Sequence, residues 1–163
     1  MQEGLMITGQ VGLVRKSRHP VSRIIEWVTR CDTSHVIIAT SETQCISAEP
    51  GGTRRRLISD YPRITWSQYV LTDKQAHLIA GIAEYTIGVR YDYLACAAHA
   101  IAAITHIDTP PRVQRWLANR APTTCSALAQ TAITAAGLKA PTPWLPTPKD
   151  WALFYETRGW NHT

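Results

Sequence analysis

Residues 35–52 read His-Val-Ile-Ile-Ala-Thr-Ser-Glu-Thr-Gln-Cys-Ile-Ser-Ala-Glu-Pro-Gly-Gly and contain two short strand-like runs. The first run, 35–39, is rich in β-branched residues and is bounded by polar ones, which is typical of a strand. The second run, 44–48, is closed by the turn-forming residues 50–52. Together they predict a pair of antiparallel strands joined by a short turn.

Further elements are predicted on both sides of this pair, and the helix at 72–86 begins with a Thr or Asp cap. In chain order they are a strand at 9–14, a helix at 20–29, strands at 55–59 and 64–69, helices at 72–86 and 91–105, a short helical piece around Trp116, a helix from 122 to 137, an extended stretch at 141–148 and a helical turn at 151–155. Strands dominate the first third and helices the remainder. This order predicts an α+β fold in which a small antiparallel sheet packs against helices.

The size and composition of the chain fit one globular domain. It has 163 residues, of which 45% are hydrophobic and 18% charged. Since a domain usually holds about 100 to 200 residues, we predict a single domain over residues 1–163. The composition excludes collagen-like, coiled-coil and largely disordered chains.

The chain is basic, with 17 Lys and Arg against 12 Asp and Glu and a net charge of +5. Such a charge favours an anionic partner, and acidic lipid and cell-wall polymer both qualify. Nucleic acid is not predicted, because the sequence has no basic helix and no alternation of aromatic and basic residues. We also expect no transmembrane segment and no signal peptide, hence a cytoplasmic location, with release by lysis or another export route as the alternative.

The cysteines occupy irregular positions, which indicates free thiols and no disulfide framework. They are Cys31, Cys45, Cys96 and Cys125. A metal site could be drawn from Cys31 and His35 with Cys96 and His99, because the spacing within each pair lies within ligand reach of one turn. Since the second pair falls in an Ala-rich segment that is better explained as a core helix, we predict no metal and no cofactor.

Cys125 is the candidate nucleophile. It follows Pro122-Thr-Thr at a predicted helix start, where backbone N–H groups and the positive end of the helix dipole lower the pKa of a thiol. The alternative interpretation is one more small buried residue, since free cysteine is among the most buried residue types.

A thiolate nucleophile needs a base nearby and a third group that orients the base. His35 opens the first strand of the predicted pair and Glu49 closes the second, so antiparallel pairing can bring the two side by side. Taken singly, His35 could be a hydrogen-bonded histidine at a strand end and Glu49 an exposed loop carboxylate.

Short motifs that follow one another along the chain carry a further signal. They lie at residues 9–14, 21–28, 34–38, 46–52, 88–93, 125–128 and 146–152. In this order they resemble the permuted papain-like amidase family of the NlpC/P60 superfamily, over almost the whole chain and with the family order of His, then Glu, then Cys. The chain departs from the family pattern at Gln10, where Asp is common, and at Ala127, where Glu is more usual.

The resemblance implies a circularly permuted papain-like fold and a cysteine hydrolase, with Cys125 as nucleophile, His35 as base and Glu49 as the group that orients the base. Such an enzyme, similar to the cysteine peptidases and amidases of the superfamily, cleaves an amide or peptide bond through a thioester intermediate, as in cell-wall peptides. The alternatives are a lipid acyl hydrolase or acyltransferase on the same fold, and a noncatalytic basic binding protein.

Two more residues are candidates for substrate binding. Tyr91, in the motif at 88–93, would make a polar contact to the substrate. Arg54, the first of three consecutive arginines, could bind a carboxylate or phosphate. The alternatives are that Tyr91 packs in the fold and that Arg54 is solvated.

Overall fold

The computed structural model describes residues 7–15, 33–49, 51–90, 112, 124–143 and 146–160. Within these ranges the chain forms strands first and helices after them. In chain order they are β1 (Val11–Arg15), β2 (Thr33–Ala39), β3 (Gln44–Glu49), β4 (Gly52–Leu57), a 3-10 turn (Ile58–Asp60), β5 (Ile64–Trp66), α1 (Asp73–Tyr85), α2 (Cys125–Ala135) and α3 (Pro148–Thr157). The predicted α+β class, with a small antiparallel sheet and helices, is confirmed.

The strands form one sheet in the order β4-β3-β2-β1-β5, and each neighbouring pair is antiparallel. The predicted pair of strands is β2 and β3, in which Ile37 lies opposite Ser47 and Ala39 opposite Cys45. Because side chains alternate along a strand, this register decides which residues share a face of the sheet.

Both faces of the sheet carry apolar side chains. The face toward the helices, called here the helix-covered face, carries Val11, Leu13, Val36, Ile38, Ile46 and Ala48. The second face carries Val14, Ile37 and Cys45, and Ile58, Tyr61, Ile64 and Trp66 pack against it. Burial on both faces explains why the run at 35–39, now part of β2, is continuously apolar and does not alternate with polar residues.

Each of the three helices that the structure describes begins at a side-chain cap, as the sequence predicts for α1. The Thr72 hydroxyl accepts a hydrogen bond from the backbone N–H of Gln75, and the side-chain oxygen of Gln75 accepts in return from the backbone N–H of Thr72. Thr124 caps α2 by accepting from Ala127 N at 3.2 Å. After α2 the chain turns at Gly137, which has a φ of 75° that favours glycine.

Two buried aromatic side chains of α3 bind it to the sheet and to α2. α2 packs on β2 and β3, and α3 packs on β1 and β2. Trp151 Nε1 donates a hydrogen bond to the Ser126 carbonyl at 3.1 Å, and the Tyr155 hydroxyl donates to the Val11 carbonyl. The start of α2 is therefore held against α3, which is itself bound to β1.

The strand predicted at 55–59 begins three residues earlier in the structure, as β4 (Gly52–Leu57). β4 begins at Gly52, directly opposite Glu49, because Gly51 and Gly52 have φ values of 96° and 116° and close a tight turn. The ladder ends at Leu57, where the chain enters the 3-10 turn.

β5 is shorter than the prediction of 64–69, because the buried side chain of Gln10 binds the chain that follows the strand. Gln10 Oε1 accepts from the Ser67 hydroxyl at 2.6 Å, and Gln10 Nε2 donates to the Tyr69 carbonyl at 2.8 Å. Gln10, which differs from the Asp common in the family that the sequence resembles, therefore has a structural role in this protein.

α3 is longer than the predicted turn at 151–155 and begins at Pro148. Thr147 accepts from Asp150 N, and the Asp150 carboxylate accepts in return from Thr147 N at 2.7 Å. This reciprocal cap, followed by a proline whose fixed φ suits the first helical turn, starts the helix three residues early.

Several predictions fall outside the described residues. They are the helices at 20–29 and 91–105, the piece around Trp116, the substrate contact of Tyr91, and the alternative metal ligands Cys31, Cys96 and His99. The single domain over residues 1–163 stays a prediction.

Candidate active site

His35 is the third residue of β2 and lies opposite Val14 of β1. Its imidazole therefore projects from the second face of the sheet, the face of Val14 and Ile37. Nε2 lies 2.6 Å from the hydroxyl oxygen of Ser47, and the ring lies 6.2 Å from that of Tyr61, centroid to centroid. The structure thus places the predicted base against a polar group on the neighbouring strand.

Glu49, at the end of β3, is bound by Arg56 of β4. Arg56 Nε and Nη2 donate to the two carboxylate oxygens at 2.9 and 2.7 Å, the two-pronged geometry that gives strong charge-assisted hydrogen bonds. Burial by itself raises the pKa of Glu49, but hydrogen bonds from Arg56 and Ser47 and the charges of Arg56 and His35 outweigh it, so the net shift is downward. Glu49 is therefore ionised at neutral pH.

Ser47 lies between the predicted base and the predicted acid. It is 0% exposed, and its hydroxyl lies 2.6 Å from His35 Nε2. The same hydroxyl lowers the pKa of Glu49 and that of Tyr61 through hydrogen bonding, against the effect of burial on each. Burial raises the pKa of Tyr61 well above its usual value, so its phenol stays protonated and able to donate. These side chains, His35, Ser47, Glu49, Arg56 and Tyr61, are called here the polar cluster.

Ser47, Arg56 and Tyr61 are not among the site residues predicted from the sequence. A signal for Ser47 was present, because Cys45, Ser47 and Glu49 alternate along one predicted strand and must share a face. A serine in the middle of a strand that is buried on both faces needs a hydrogen-bond partner.

Cys125 is the first residue of α2, as the sequence predicts. It is only 6% exposed and packs among the residues of the helix-covered face. Its Sγ lies 3.9 Å from the Ser126 hydroxyl, and Thr124 orders the first helical turn. The backbone N–H groups at a helix start lack intrahelical acceptors, so they favour negative charge on a thiol or an oxyanion held there.

The structure places two of the three predicted catalytic residues, His35 and Glu49, on one face of the sheet, where Ser47 contacts His35 and lowers the pKa of Glu49. Cys125 packs on the helix-covered face, whereas His35 projects from the other face near the first residue of β2. For Cys125 Sγ and the His35 imidazole to meet, the two side chains must approach each other at the N-terminal end of β2. That contact stays a prediction.

Cys45 offers a comparison within the same chain. It is buried on the second face, and its Sγ donates to the Arg56 carbonyl at 3.7 Å. Burial, with the nearby charges of Asp60 and Glu49, raises the pKa of Cys45 to about 12. This thiol therefore stays protonated near neutral pH and is a poor nucleophile.

Arg54 lies on β4 directly opposite Ser47, so its side chain leaves the sheet on the same face as the polar cluster. It is exposed, and its Nη2 donates to the Gly51 carbonyl at 3.2 Å. A Cβ atom at Gly51 would stand 2.8 Å from that nitrogen, so a side chain there would displace the guanidinium.

The two arginines that follow are bound to carboxylates. Arg55 pairs with Glu84 of α1 at 2.9 Å, and Arg56 pairs with Glu49. In the part of the chain that the structure describes, Arg54 is therefore the member of the triplet whose charge is not matched by a carboxylate.

Within the described ranges no group of three or more side chains is arranged to hold a metal ion. Nor is any helix in those ranges long and apolar enough to cross a membrane. No protein-family model matches the chain, and no curated protein matches it.

Proposed function

We propose that this protein is a cysteine hydrolase on a permuted papain-like fold, with Cys125 as nucleophile, His35 as base and Glu49 as the acid that holds the base. The observation that carries the proposal is the 2.6 Å contact between His35 Nε2 and Ser47. It ties one ring nitrogen to a cluster that ends in an ionised carboxylate, so Nδ1 is the nitrogen assigned to the sulfur.

The proposed reaction begins when His35 Nδ1 takes the thiol proton of Cys125. The sulfur attacks the carbonyl carbon of the substrate, and backbone N–H groups at the start of α2 stabilise the oxyanion. The carbon–nitrogen bond then breaks as the imidazolium gives its proton to the leaving amine. Water attacks the thioester that remains, releases the acid and restores the thiol.

Arg54 supports a substrate that carries an anionic group. Its guanidinium lies on the face of the polar cluster, beside Ser47, and is exposed. A guanidinium binds carboxylate and phosphate well, and cell-wall peptides carry carboxylates. We therefore propose cleavage of an amide bond in an anionic peptide, with Arg54 and Tyr91 on the substrate side.

A specific surface feature favours a second candidate function, lipid acyl hydrolysis or acyl transfer. The end of α1 and the loop after it expose apolar side chains, with Tyr85 91% exposed and Ile87 and Val89 partly so. The loop is bound to β4, the strand of Arg54, through hydrogen bonds between Gly88 and Thr53 and between Thr53 and Val89. Apolar side chains beside arginines suit an anionic lipid surface.

Mass spectrometry of products tests the proposal. The full chain is incubated separately with cell-wall muropeptides and with acyl phospholipids, beside the variants Cys125→Ala and Cys45→Ala. We expect amide cleavage of the muropeptides by the wild type and by Cys45→Ala, and none by Cys125→Ala. Released fatty acid would select the lipid alternative, and equal product from all three proteins would refute Cys125 as the nucleophile.

A further inference from the structure

We propose that Ser47 is a positioning residue that joins the acid to the base. Its hydroxyl oxygen accepts the Nε2–H of His35, and its hydroxyl proton is donated to the carboxylate of Glu49. The inference rests on the proposed function and deepens it, because it replaces a direct contact between His35 and Glu49 with a contact through a third side chain.

The strand register gives the first argument. Ile37 lies opposite Ser47, so the same register continued by two residues brings His35 opposite Glu49. Ser47 is then the diagonal neighbour of His35 and shares a face with Glu49, and diagonal neighbours lie about 7 Å apart across antiparallel strands. A short serine hydroxyl at this place reaches the imidazole at 2.6 Å.

The number of hydrogen bonds that the Ser47 hydroxyl can make gives the second argument. Ser47 is fully buried, so its hydroxyl must be satisfied by protein groups, with one donor and two acceptor positions to fill. The Glu49 carboxylate can only accept, so it takes the Ser47 proton. The phenol of Tyr61 and the Nε2–H of His35 can then donate to the two lone pairs of the Ser47 oxygen.

The direction of these hydrogen bonds determines which tautomer the neutral His35 imidazole adopts. If Ser47 gives its proton to Glu49, it can only accept from His35, and the neutral imidazole must carry its proton on Nε2. Nδ1 is then the basic nitrogen, as the proposed reaction requires. Arg56 supports this arrangement because its two hydrogen bonds keep the Glu49 carboxylate in place.

Among the residues that the structure describes, the charged and titratable groups around His35 on this face come from three parts of the fold. Glu49 and Cys45 lie on β3, Arg54 and Arg56 on β4, and Tyr61 after the 3-10 turn. Glu49 shares the strand face of Ser47, and Asp60 in the 3-10 turn is a second carboxylate, close to Cys45 and Arg56. We therefore expect the link through Ser47 to raise the pKa of His35, since it brings negative charge toward the imidazolium.

The first measurement is the tautomer and pKa of His35 in the full chain, read from nitrogen and proton NMR of 15N-histidine-labelled protein. We expect the Nε2–H tautomer in the wild type. Ser47→Ala should give a mixture of tautomers and a lower His35 pKa, and Ser47→Thr, which keeps a hydroxyl, should restore both. Ser59→Ala removes an exposed hydroxyl and serves as the matched control.

The second measurement is the rate of Cys125 alkylation by iodoacetamide at pH 6 in the same proteins. We expect Ser47→Ala to react about tenfold more slowly than the wild type, the change that one pKa unit produces in the thiolate fraction. Ser47→Thr and Ser59→Ala should react at the wild-type rate. Alanine at position 47 leaves polar neighbours unsatisfied, so thermal unfolding is recorded for each variant.

The outcomes separate this inference from the proposed function. If His35→Ala slows alkylation of Cys125 but Ser47→Ala keeps the wild-type tautomer, pKa and rate, the role of Ser47 is refuted and the proposed function stands. If His35→Ala leaves alkylation unchanged, the proposed function fails, and the NMR data still decide whether Ser47 positions His35. If Ser47→Ala does not fold, an Nδ1–H tautomer in the wild type alone refutes the inference.

Discussion

At the scale of single residues, burial and hydrogen bonding act in opposite directions on the carboxyl group of Glu49. Its side chain is 20% exposed and that of its partner Arg56 is 38% exposed. The hydrogen bonds and charge of Arg56 outweigh the effect of burial, so the pKa of Glu49 is lower in the folded chain than its usual value of 4.5. A lowered carboxyl pKa means that ionised Glu49 stabilises the fold.

Glu49→Gln should therefore destabilise the protein at neutral pH. Because the pair is partly exposed, we expect a loss of about 1 to 2 kcal/mol in the free energy of unfolding. The contribution of Glu49 is fully present above the unfolded-state pKa and disappears as the pH falls through the folded-state value. Urea unfolding at pH 7 and at successively lower pH should show the difference from wild type shrinking; a difference independent of pH would contradict this.

The two described cysteines should differ in reactivity because their surroundings differ. The Cys45 thiol has a pKa of about 12, so it should not react with iodoacetamide at pH 7 until the chain is unfolded. Cys45→Ala should leave the alkylation rate of Cys125 unchanged. Peptide mapping after timed alkylation, with and without urea, measures both rates, and rapid labelling of Cys45 in the folded protein would refute the assignment.

At the scale of elements, the start of α2 links stability to the reactivity of Cys125. Thr124 satisfies Ala127 N and fixes the turn in which Cys125 is the first residue. Because the backbone N–H groups of this turn favour a thiolate only when the turn is ordered, the cap should affect both properties.

Thr124→Ala should lower the free energy of unfolding by about 1 kcal/mol, as loss of a helix cap does. It should also slow alkylation of Cys125 at pH 6. Thr72→Ala removes the corresponding cap of α1 and is the matched control, with a similar loss of stability and an unchanged alkylation rate. If both variants slow alkylation equally, the effect comes from general loosening and not from the start of α2.

Local chemistry made several elements predictable from sequence. The β-branched run gave β2, and the threonine cap gave the start of α1 at Asp73. The early start of β4 was missed because it depends on the pairing of Glu49 with Gly52, which is a contact between strands. Ser47 was missed for the same reason, since its importance lies in what the neighbouring strand places beside it.

At the scale of the whole molecule, contacts far apart in sequence hold the helices on the sheet. The hydroxyl of Tyr155 in α3 donates to the carbonyl of Val11 in β1, and the ring packs in T-shaped contacts with Trp151 and Trp160. Neither partner can be chosen from the sequence, because an aromatic residue in an amphipathic helix has no fixed target until the helix is docked.

Tyr155→Phe should destabilise the protein by about 1 kcal/mol, at the lower end for a buried hydrogen bond. The loss is small because the Val11 carbonyl also accepts from Ser67 N at 2.8 Å and stays satisfied. Tyr85→Phe changes a tyrosine that is almost fully exposed and should have no effect. Urea unfolding of both variants measures the difference, and equal stability would show that the Tyr155 hydroxyl does not fasten α3.

The predicted catalytic arrangement also belongs to this scale, because it joins the end of β2 to the start of α2. The sequence order of His35, Glu49 and Cys125 suggested the three residues, and the strand register accounts for the first two meeting around Ser47. The third comes from a helix that packs on the other face of the sheet. No local sequence pattern predicts how the start of α2 is placed relative to the end of β2.

The alkylation rate of Cys125 as a function of pH, in the wild type and in His35→Gln, tests the central claim most directly. His77→Gln, an exposed histidine on α1, is the control. If His35 activates the sulfur, the wild type and the control react rapidly at pH 6, and His35→Gln reacts at least about tenfold more slowly there. Superimposable pH profiles for all three proteins would contradict it.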